Sequence, residues 1–239
     1  MTIADASRGF ASAKPSVGAA VFRPPLRIQA SILAGRERNL LNRLCGGLPD
    51  WVTPDILTAI GFVGAVATGV AYAATNISPI FLFLASIGLL INWFGDSLDG
   101  SLARYRKRER DRYGFFLDHS VDAFGNLFIS FGLGLSPFVS MDVALFTLVG
   151  YLLLGLFVFL SQQVSGALRL SFLGFGPTEL RLVMIVVNLA MFLLGPVPVR
   201  FMGREMPIHN FSVGALGLIL ICLFLGNVYR TARELARQG

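Results

Sequence analysis

Long stretches without a single charged side chain alternate along this sequence with short polar segments. Residues 56–95 form a run of 40 without Asp, Glu, Lys or Arg. Further runs cover 123–141 (19 residues), 143–168 (26), 182–199 (18) and 206–229 (24), the last holding only His209 as a titratable side chain besides Cys222 and Tyr229. A helix needs about 20 apolar residues to cross a hydrocarbon core about 30 Å thick. Backbone groups in lipid must bond within their own segment, so each run predicts a helix. The 40-residue run holds two, divided near Asn76 to Pro79, and the pattern predicts six spans in all. Thr53 and Pro54 suit the N-cap and first position of the first span, and Trp51 before them suits a membrane interface. The second span is expected from Ser78-Pro79 through Arg104. The third starts near Tyr113-Gly114, and the rest occupy approximately 142–170, 179–198 and 210–236.

Ahead of these runs the pattern differs. Between Pro24 and Leu48, Leu26, Ile28, Ile32, Leu33, Leu40, Leu41 and Leu44 interleave with Arg27, Arg36, Glu37, Arg38, Asn42 and Arg43. A basic amphipathic stretch of this kind can lie in the membrane interface, leucines inward and arginines among phosphates. It can equally pack on the ends of the spans. Residues 1–23 lack a continuous apolar core and read as a flexible tail rather than a cleaved leader. The expected organisation is thus a tail (1–23), an amphipathic interfacial helix (24–48) and a six-helix transmembrane domain (49–239): an all-α integral membrane fold.

Composition agrees. The chain is 54% hydrophobic and 14% charged, against about 25% charged in soluble domains, and its mean hydropathy is +0.68. Its formal net charge of +6 could suggest nucleic acid, but the arginines cluster at 27–43, 104–112 and 230–237, beside predicted spans. Basic clusters there bind anionic lipid head groups, so no nucleic-acid partner is implied. With six spans, the three clusters share one side, which the positive-inside rule makes cytoplasmic; Arg200 and Arg204, before the sixth span, fit it less well. Cys45 and Cys222 are far apart and imply no disulfide framework.

Four aspartates interrupt the apolar pattern. Asp96 and Asp99 are spaced i, i+3, and Asp118 and Asp122 i, i+4, so each pair shares one helix face. Gly100, Ala103 and Arg104 extend the first face and Gly114 the second. The short linker between the two helices allows them to lie antiparallel with the carboxylates facing one another. Four such charges repel, and ionised groups near hydrocarbon are costly. Hard cations relieve both costs, and oxygen-only ligands suit Mg²⁺ or Mn²⁺. Two ions about 4 Å apart can clamp a phosphoryl group. The small residues leave the backbone open to a bulky phosphate ester, and Arg104 offers a cationic fork. Gly61, Gly64 and Gly69 read instead as helix-packing positions.

The spelling Asp96-x-x-Asp99-Gly100-x-x-Ala103-Arg104, nine residues, Gly114-x-x-x-Asp118-x-x-x-Asp122 resembles the signature of the CDP-alcohol phosphatidyltransferase family (class I). The resemblance covers roughly residues 35–235 and includes Thr53-Pro54-Asp55-x-x-Thr58. It implies a homodimeric membrane transferase of phospholipid biosynthesis, using two Mg²⁺ or Mn²⁺ ions. Asp96, Asp99, Asp118 and Asp122 would ligate the metals. Asp122 would also be the general base, taking the proton of an acceptor hydroxyl that attacks the β-phosphorus of CDP-diacylglycerol and expels CMP. Asp55, Ile56, Leu57, Thr58, Gly100, Ala103, Arg104, Asp111 and Gly114 would line the CDP-lipid site. Asp111 departs from many bacterial members, which carry Ser or Thr there. Arg169, Arg181 and Arg230 are candidates for an alcohol or phospho-alcohol acceptor; positive-inside anchoring explains each equally well. Gly176-Pro177-Thr178-Glu179 resembles the eukaryotic choline and ethanolamine phosphotransferases, which keeps a CDP-amino-alcohol phosphotransferase open. Outside the family, a divalent-cation transporter or an aspartate-rich intramembrane prenyltransferase would also use such carboxylates. The expected location is a bacterial inner membrane with the site facing the cytoplasm.

Overall fold

A computed structural model of the chain describes residues 26–28, 33–165, 167–169, 176–201 and 203–237. The segment 1–23 lies outside the described residues. Among the described residues seven helices carry the fold: α1 Ala34–Gly47, α2 Pro54–Ala74, α3 Phe81–Tyr105, α4 Asp111–Gly134, α5 Met141–Ser165, α6 Pro177–Leu194 and α7 His209–Ala236. Two small sheets accompany them. β1 (Leu26–Ile28) pairs in parallel with β2 (Ala167–Arg169), and β3 (Pro198–Phe201) forms an antiparallel hairpin with β4 (Arg204–Pro207).

Helix α2 starts as its sequence indicates. Thr53 is extended (φ −106°, ψ 160°), its hydroxyl accepts the Ile56 N–H at 3.3 Å, and Pro54 opens the first turn. Its neighbours are then set by glycine. A Cβ added to Gly95 of α3 would sit 2.3 Å from the Gly61 nitrogen, and one on Gly132 of α4 would sit 2.1 Å from the Gly69 carbonyl oxygen. No larger residue fits these backbone-to-backbone seams, so α2 forms the spine on which α3 and α4 both pack. The Asn92 amide then donates across the first seam to the Gly61 carbonyl at 3.0 Å. In the distal half, Tyr72, Phe138, Val139, Leu82, Met191 and Val213 form one apolar cluster. The Tyr72 hydroxyl inside it donates to Asn188 at 2.8 Å, whose amide donates to Ser86 at 3.0 Å. That chain satisfies three buried polar groups and ties α2, α6 and α3 together.

Helix α3 ends where Lys107 turns left-handed (φ 53°). The Arg106 guanidinium then reaches back to the α1–α2 connection, donating to the carbonyls of Val52 (2.5 Å), Pro49 (2.9 Å), Leu48 (3.0 Å) and Asp50 (3.4 Å). Helix α1 buries Glu37, Leu41 and Cys45, one residue per turn, and leaves Arg36, Arg38 and Arg43 exposed. Its buried stripe meets Val52, Leu57, Leu98 and Leu102.

Three expectations are corrected here. Among the described residues five helices, α2, α3, α5, α6 and α7, are long and apolar enough to cross a membrane, rather than six. Helix α4 has 24 residues, but Asp111, Arg112, Asp118, His119 and Asp122 dilute its apolar character while it packs on α2 and α5. The amphipathic helix covers 34–47 instead of 24–48, because Leu26-Arg27-Ile28 enters a ladder with residues 141 positions away. Three alternating residues fit a strand as well as a helix, and the tertiary pairing decides between them. Helix α6 stops at Leu194, short of 198, where Gly195 (φ 71°) and Pro196 end it and lead into the hairpin. The chain remains an all-α membrane protein, with all five apolar helices in one bundle.

Candidate active site

The aspartate face of α3 and that of α4 meet over α2. One carboxylate oxygen each of Asp96, Asp118 and Asp122 lie within 4.8 Å of one another. If all three were ionised at that spacing, each pair would repel by at least about 3.5 kcal/mol at an effective dielectric constant of about 20. Three such pairs approach the whole stability of a typical domain, about 5–15 kcal/mol. The site therefore needs compensating positive charge.

Part of it comes from α6. Arg181, largely buried, donates from Nη2 to Asp96 Oδ2 at 2.6 Å and from Nε to Asn92 Oδ1 at 2.9 Å. Its Nη1 is buried with no hydrogen-bond partner among the described residues. One guanidinium offsets one of three carboxylates, which leaves a surplus of negative charge and a donor set made wholly of oxygen. That composition fits a hard divalent cation.

Asp99 is placed differently from its three counterparts. It is buried, its Oδ2 accepts the Thr58 hydroxyl at 2.6 Å, and its Oδ1 faces the Gly100 N–H. Thr58 thus links the start of α2 to the aspartate face of α3. At the mouth of the site, Asp55 pairs with Arg110, whose guanidinium also stacks 4.5 Å from the Tyr113 ring centre. Ile56, Arg104, Asp111 and Gly114 are exposed, Gly100 and Ala103 are half-buried, and Leu57 is buried in the α1–α2–α3 core. Arg104 bonds Ser101 on its own helix at 3.3 Å. Arg230 is exposed on α7. Arg169 belongs to β2, and its side chain lies outside the described residues.

Behind the aspartates a small cavity opens between α3, α4, α5, α6 and α7. Its polar end is formed by Asn92, Asn126, Tyr151 and Arg181, and the Asn126 amide donates to the Asp122 carbonyl at 2.7 Å. Apart from Ser130 and Thr147 the rest is apolar, with Leu89, Leu133, Leu148 and Met184 among its walls. Sequence reasoning missed Asn92, Asn126 and Tyr151. The two asparagines had a signal: each lies one turn beyond an aspartate and continues its stripe, at Asp96 − 4 and Asp122 + 4. Tyr151 had none, since a lone tyrosine in an apolar helix reads as core. His119, next to Asp118, bonds the Phe115 carbonyl through Nδ1 at 2.9 Å and lies 3.5 Å from Asp118 Oδ2.

Comparison with known proteins places this geometry in context. A protein-family model described as CDP-alcohol phosphatidyltransferase matches residues 51–225. Similar curated proteins include cholinephosphotransferase 1 of Danio rerio, 28% identical over 225 residues, covering 90% of this chain and 54% of that protein. Archaetidylinositol phosphate synthase of Pyrococcus horikoshii is 35% identical over 99 residues, 41% of this chain and 50% of that one. Phosphatidylinositol phosphate synthase of Cutibacterium acnes is 36% identical over 84 residues, 35% of this chain and 38% of that one. The matches span about half the length of the first two relatives and less of the third.

Proposed function

Because this chain belongs to the CDP-alcohol phosphatidyltransferase family, we propose that it transfers a phosphoryl-linked group from a CDP-linked donor to a hydroxyl acceptor, releasing CMP. The observation that carries the reading is the convergence of Asp96, Asp118 and Asp122, all at signature positions, within 4.8 Å. In this reading those three and Asp99 hold two ions, Mg²⁺ or Mn²⁺. Bound there, the ions would neutralise the phosphoryl oxygens and the leaving diphosphate oxygen. Arg181 fixes the Asp96 carboxylate, and Thr58 fixes that of Asp99. Asp122 takes the proton of the acceptor hydroxyl. The freed oxygen forms its bond to the β-phosphorus as the bond from that phosphorus to the bridging oxygen breaks, and the bridging oxygen leaves with CMP. Gly100, Ala103, Arg104 and Gly114, with Asp55, Ile56, Thr58 and Asp111, surround the cytidine diphosphate; Leu57 supports them from the core.

Two assignments of donor and acceptor follow. In the first, CDP-diacylglycerol is the donor and a small alcohol or phospho-alcohol the acceptor, in keeping with the two shorter matches, an archaetidylinositol phosphate synthase and a phosphatidylinositol phosphate synthase. In the second, a CDP-amino alcohol is the donor and a lipid hydroxyl the acceptor. A specific observation favours the second: among the described residues, Arg181 is the one basic residue lining the cavity, and it is already held by Asp96. The relative that covers 90% of the chain is a cholinephosphotransferase. The purified chain, with Mn²⁺ or Mg²⁺, should be offered CDP-diacylglycerol with an alcohol panel, and CDP-choline or CDP-ethanolamine with diacylglycerol. CMP release in one arm selects that assignment; metal-dependent turnover in neither arm sinks the reading. The arginine-rich segment 104–112 beside the centre supports a site that faces the cytoplasm. Light scattering of the detergent-solubilised protein tests the homodimer expected of the family.

A further inference from the structure

Helix α1 meets the catalytic helices through one buried carboxylate. Glu37 is 8% exposed, and its Oε1 accepts from Thr178 Oγ1 (2.7 Å), Trp93 Nε1 (3.0 Å) and Ser97 Oγ (3.3 Å). Its Oε2 is also buried and has no partner among the described residues. Burying a carboxylate with one oxygen unsatisfied is costly, so its partners indicate what it does. Trp93 and Ser97 lie one turn apart on α3, each one position after a residue that Arg181 holds, Asn92 and Asp96. Thr178 lies on α6 one turn before Arg181. Glu179 adds a second tie at the same place, accepting the Leu33 N–H at 3.1 Å and the Gly176 N–H at 2.9 Å. The first turn of α6 is thereby held by α1, and α1 is held to α3 by the same carboxylate. Arg181 projects from the next turn onto Asp96.

We infer that Glu37 is a positioning residue for the aspartate centre: through Thr178 it seats the first turn of α6 so that Arg181 holds Asp96 in its ligating orientation. The inference rests on the reading of Asp96 as a metal ligand. Arg181 is the partner one bond removed from that ligand, a contact whose loss typically changes metal affinity or activity about 10–100-fold, and Glu37 acts through it. Glu37→Gln keeps an oxygen acceptor and Thr178→Ser keeps the hydroxyl, whereas Glu37→Ala and Thr178→Val remove the link.

The test is Mn²⁺ binding, followed by electron paramagnetic resonance on the full chain in nanodiscs without nucleotide. Glu37→Ala and Thr178→Val should weaken Mn²⁺ affinity by about tenfold or more, and Glu37→Gln and Thr178→Ser should stay near wild type. The double variant Glu37→Ala/Arg181→Met should bind no more weakly than Arg181→Met alone, because both act through one contact. Wild-type affinity in Glu37→Ala and Thr178→Val, or additive losses in the double variant, would overturn the inference. If the wild type binds Mn²⁺ but releases no CMP from any donor, the reaction assignment falls and this coupling stands. A wild type that binds no Mn²⁺ would sink both.

Discussion

Gly95→Ala places one methyl group in the tightest seam beside the aspartates. The new Cβ would lie 2.3 Å from Gly61 N, 2.4 Å from the Leu57 carbonyl oxygen and 2.5 Å from Gly61 Cα, all backbone atoms. Ordinary contact begins near 3.4 Å, so α2 and α3 must part by about 1 Å, since neither helix backbone can yield locally. Two hydrogen bonds cross that seam, Thr58 to Asp99 at 2.6 Å and Asn92 to Gly61 at 3.0 Å. A shift of about 1 Å takes both beyond hydrogen-bonding range. Overpacking of this kind costs about 1–3 kcal/mol, and each lost bond about 1 kcal/mol more. Asp96 is the next residue, and a displacement of about 1 Å at a reacting group can cost about 100-fold in rate. Initial rates of CMP release on monodisperse protein, with thermal unfolding alongside, read both effects. Gly114→Ala is the contrast, because nothing lies within 4 Å of its added Cβ; it should leave the unfolding temperature unchanged and raise KM for the CDP-linked donor. Wild-type rate and unfolding temperature in Gly95→Ala would refute the reasoning.

Further outcomes follow from individual contacts. Thr58→Val removes the bond that orients Asp99 and should lower kcat about tenfold or more with the fold intact; an unchanged kcat would deny Thr58 that role. Lys107→Gly relieves a left-handed, non-glycine backbone and should stabilise the protein by about 1 kcal/mol; a lower unfolding temperature would contradict this. Burial pushes the Cys45 thiol above its usual value, against the opposing pull of Arg104 and Arg106. Cys45 should resist alkylation at pH 8 until the protein is denatured, and rapid labelling of the folded protein would show that α1 does not stay docked.

The parts of this architecture that were legible are those written in one helix. A charge-free run announces a membrane helix because its neighbours in sequence are also its neighbours in lipid. The i, i+3 and i, i+4 spacings place Asp96 with Asp99 and Asp118 with Asp122 for the same reason. Helix α4 was harder, since the acidic residues that give it a chemical role remove the apolar signature of a span. Contacts set by tertiary structure were not legible. Nothing near Asp99 announces that its carboxylate bonds Thr58, 41 residues away. Arg181 could be named as a candidate cation, but its bond to Asp96 spans 85 positions and that of Glu37 to Thr178 spans 141. The strands β1 and β2 are three residues each and exist only by pairing with one another.

The four aspartates hold the central claim, and Asp122 is where it is most exposed to test. Asp122→Asn keeps the shape of the side chain and an oxygen for the metal, and removes the group that accepts the proton. With a CDP-linked donor, acceptor and Mn²⁺ or Mg²⁺, the wild type should release CMP, and Asp122→Asn should release none while still folding and binding metal. Full CMP release by Asp122→Asn would contradict the account.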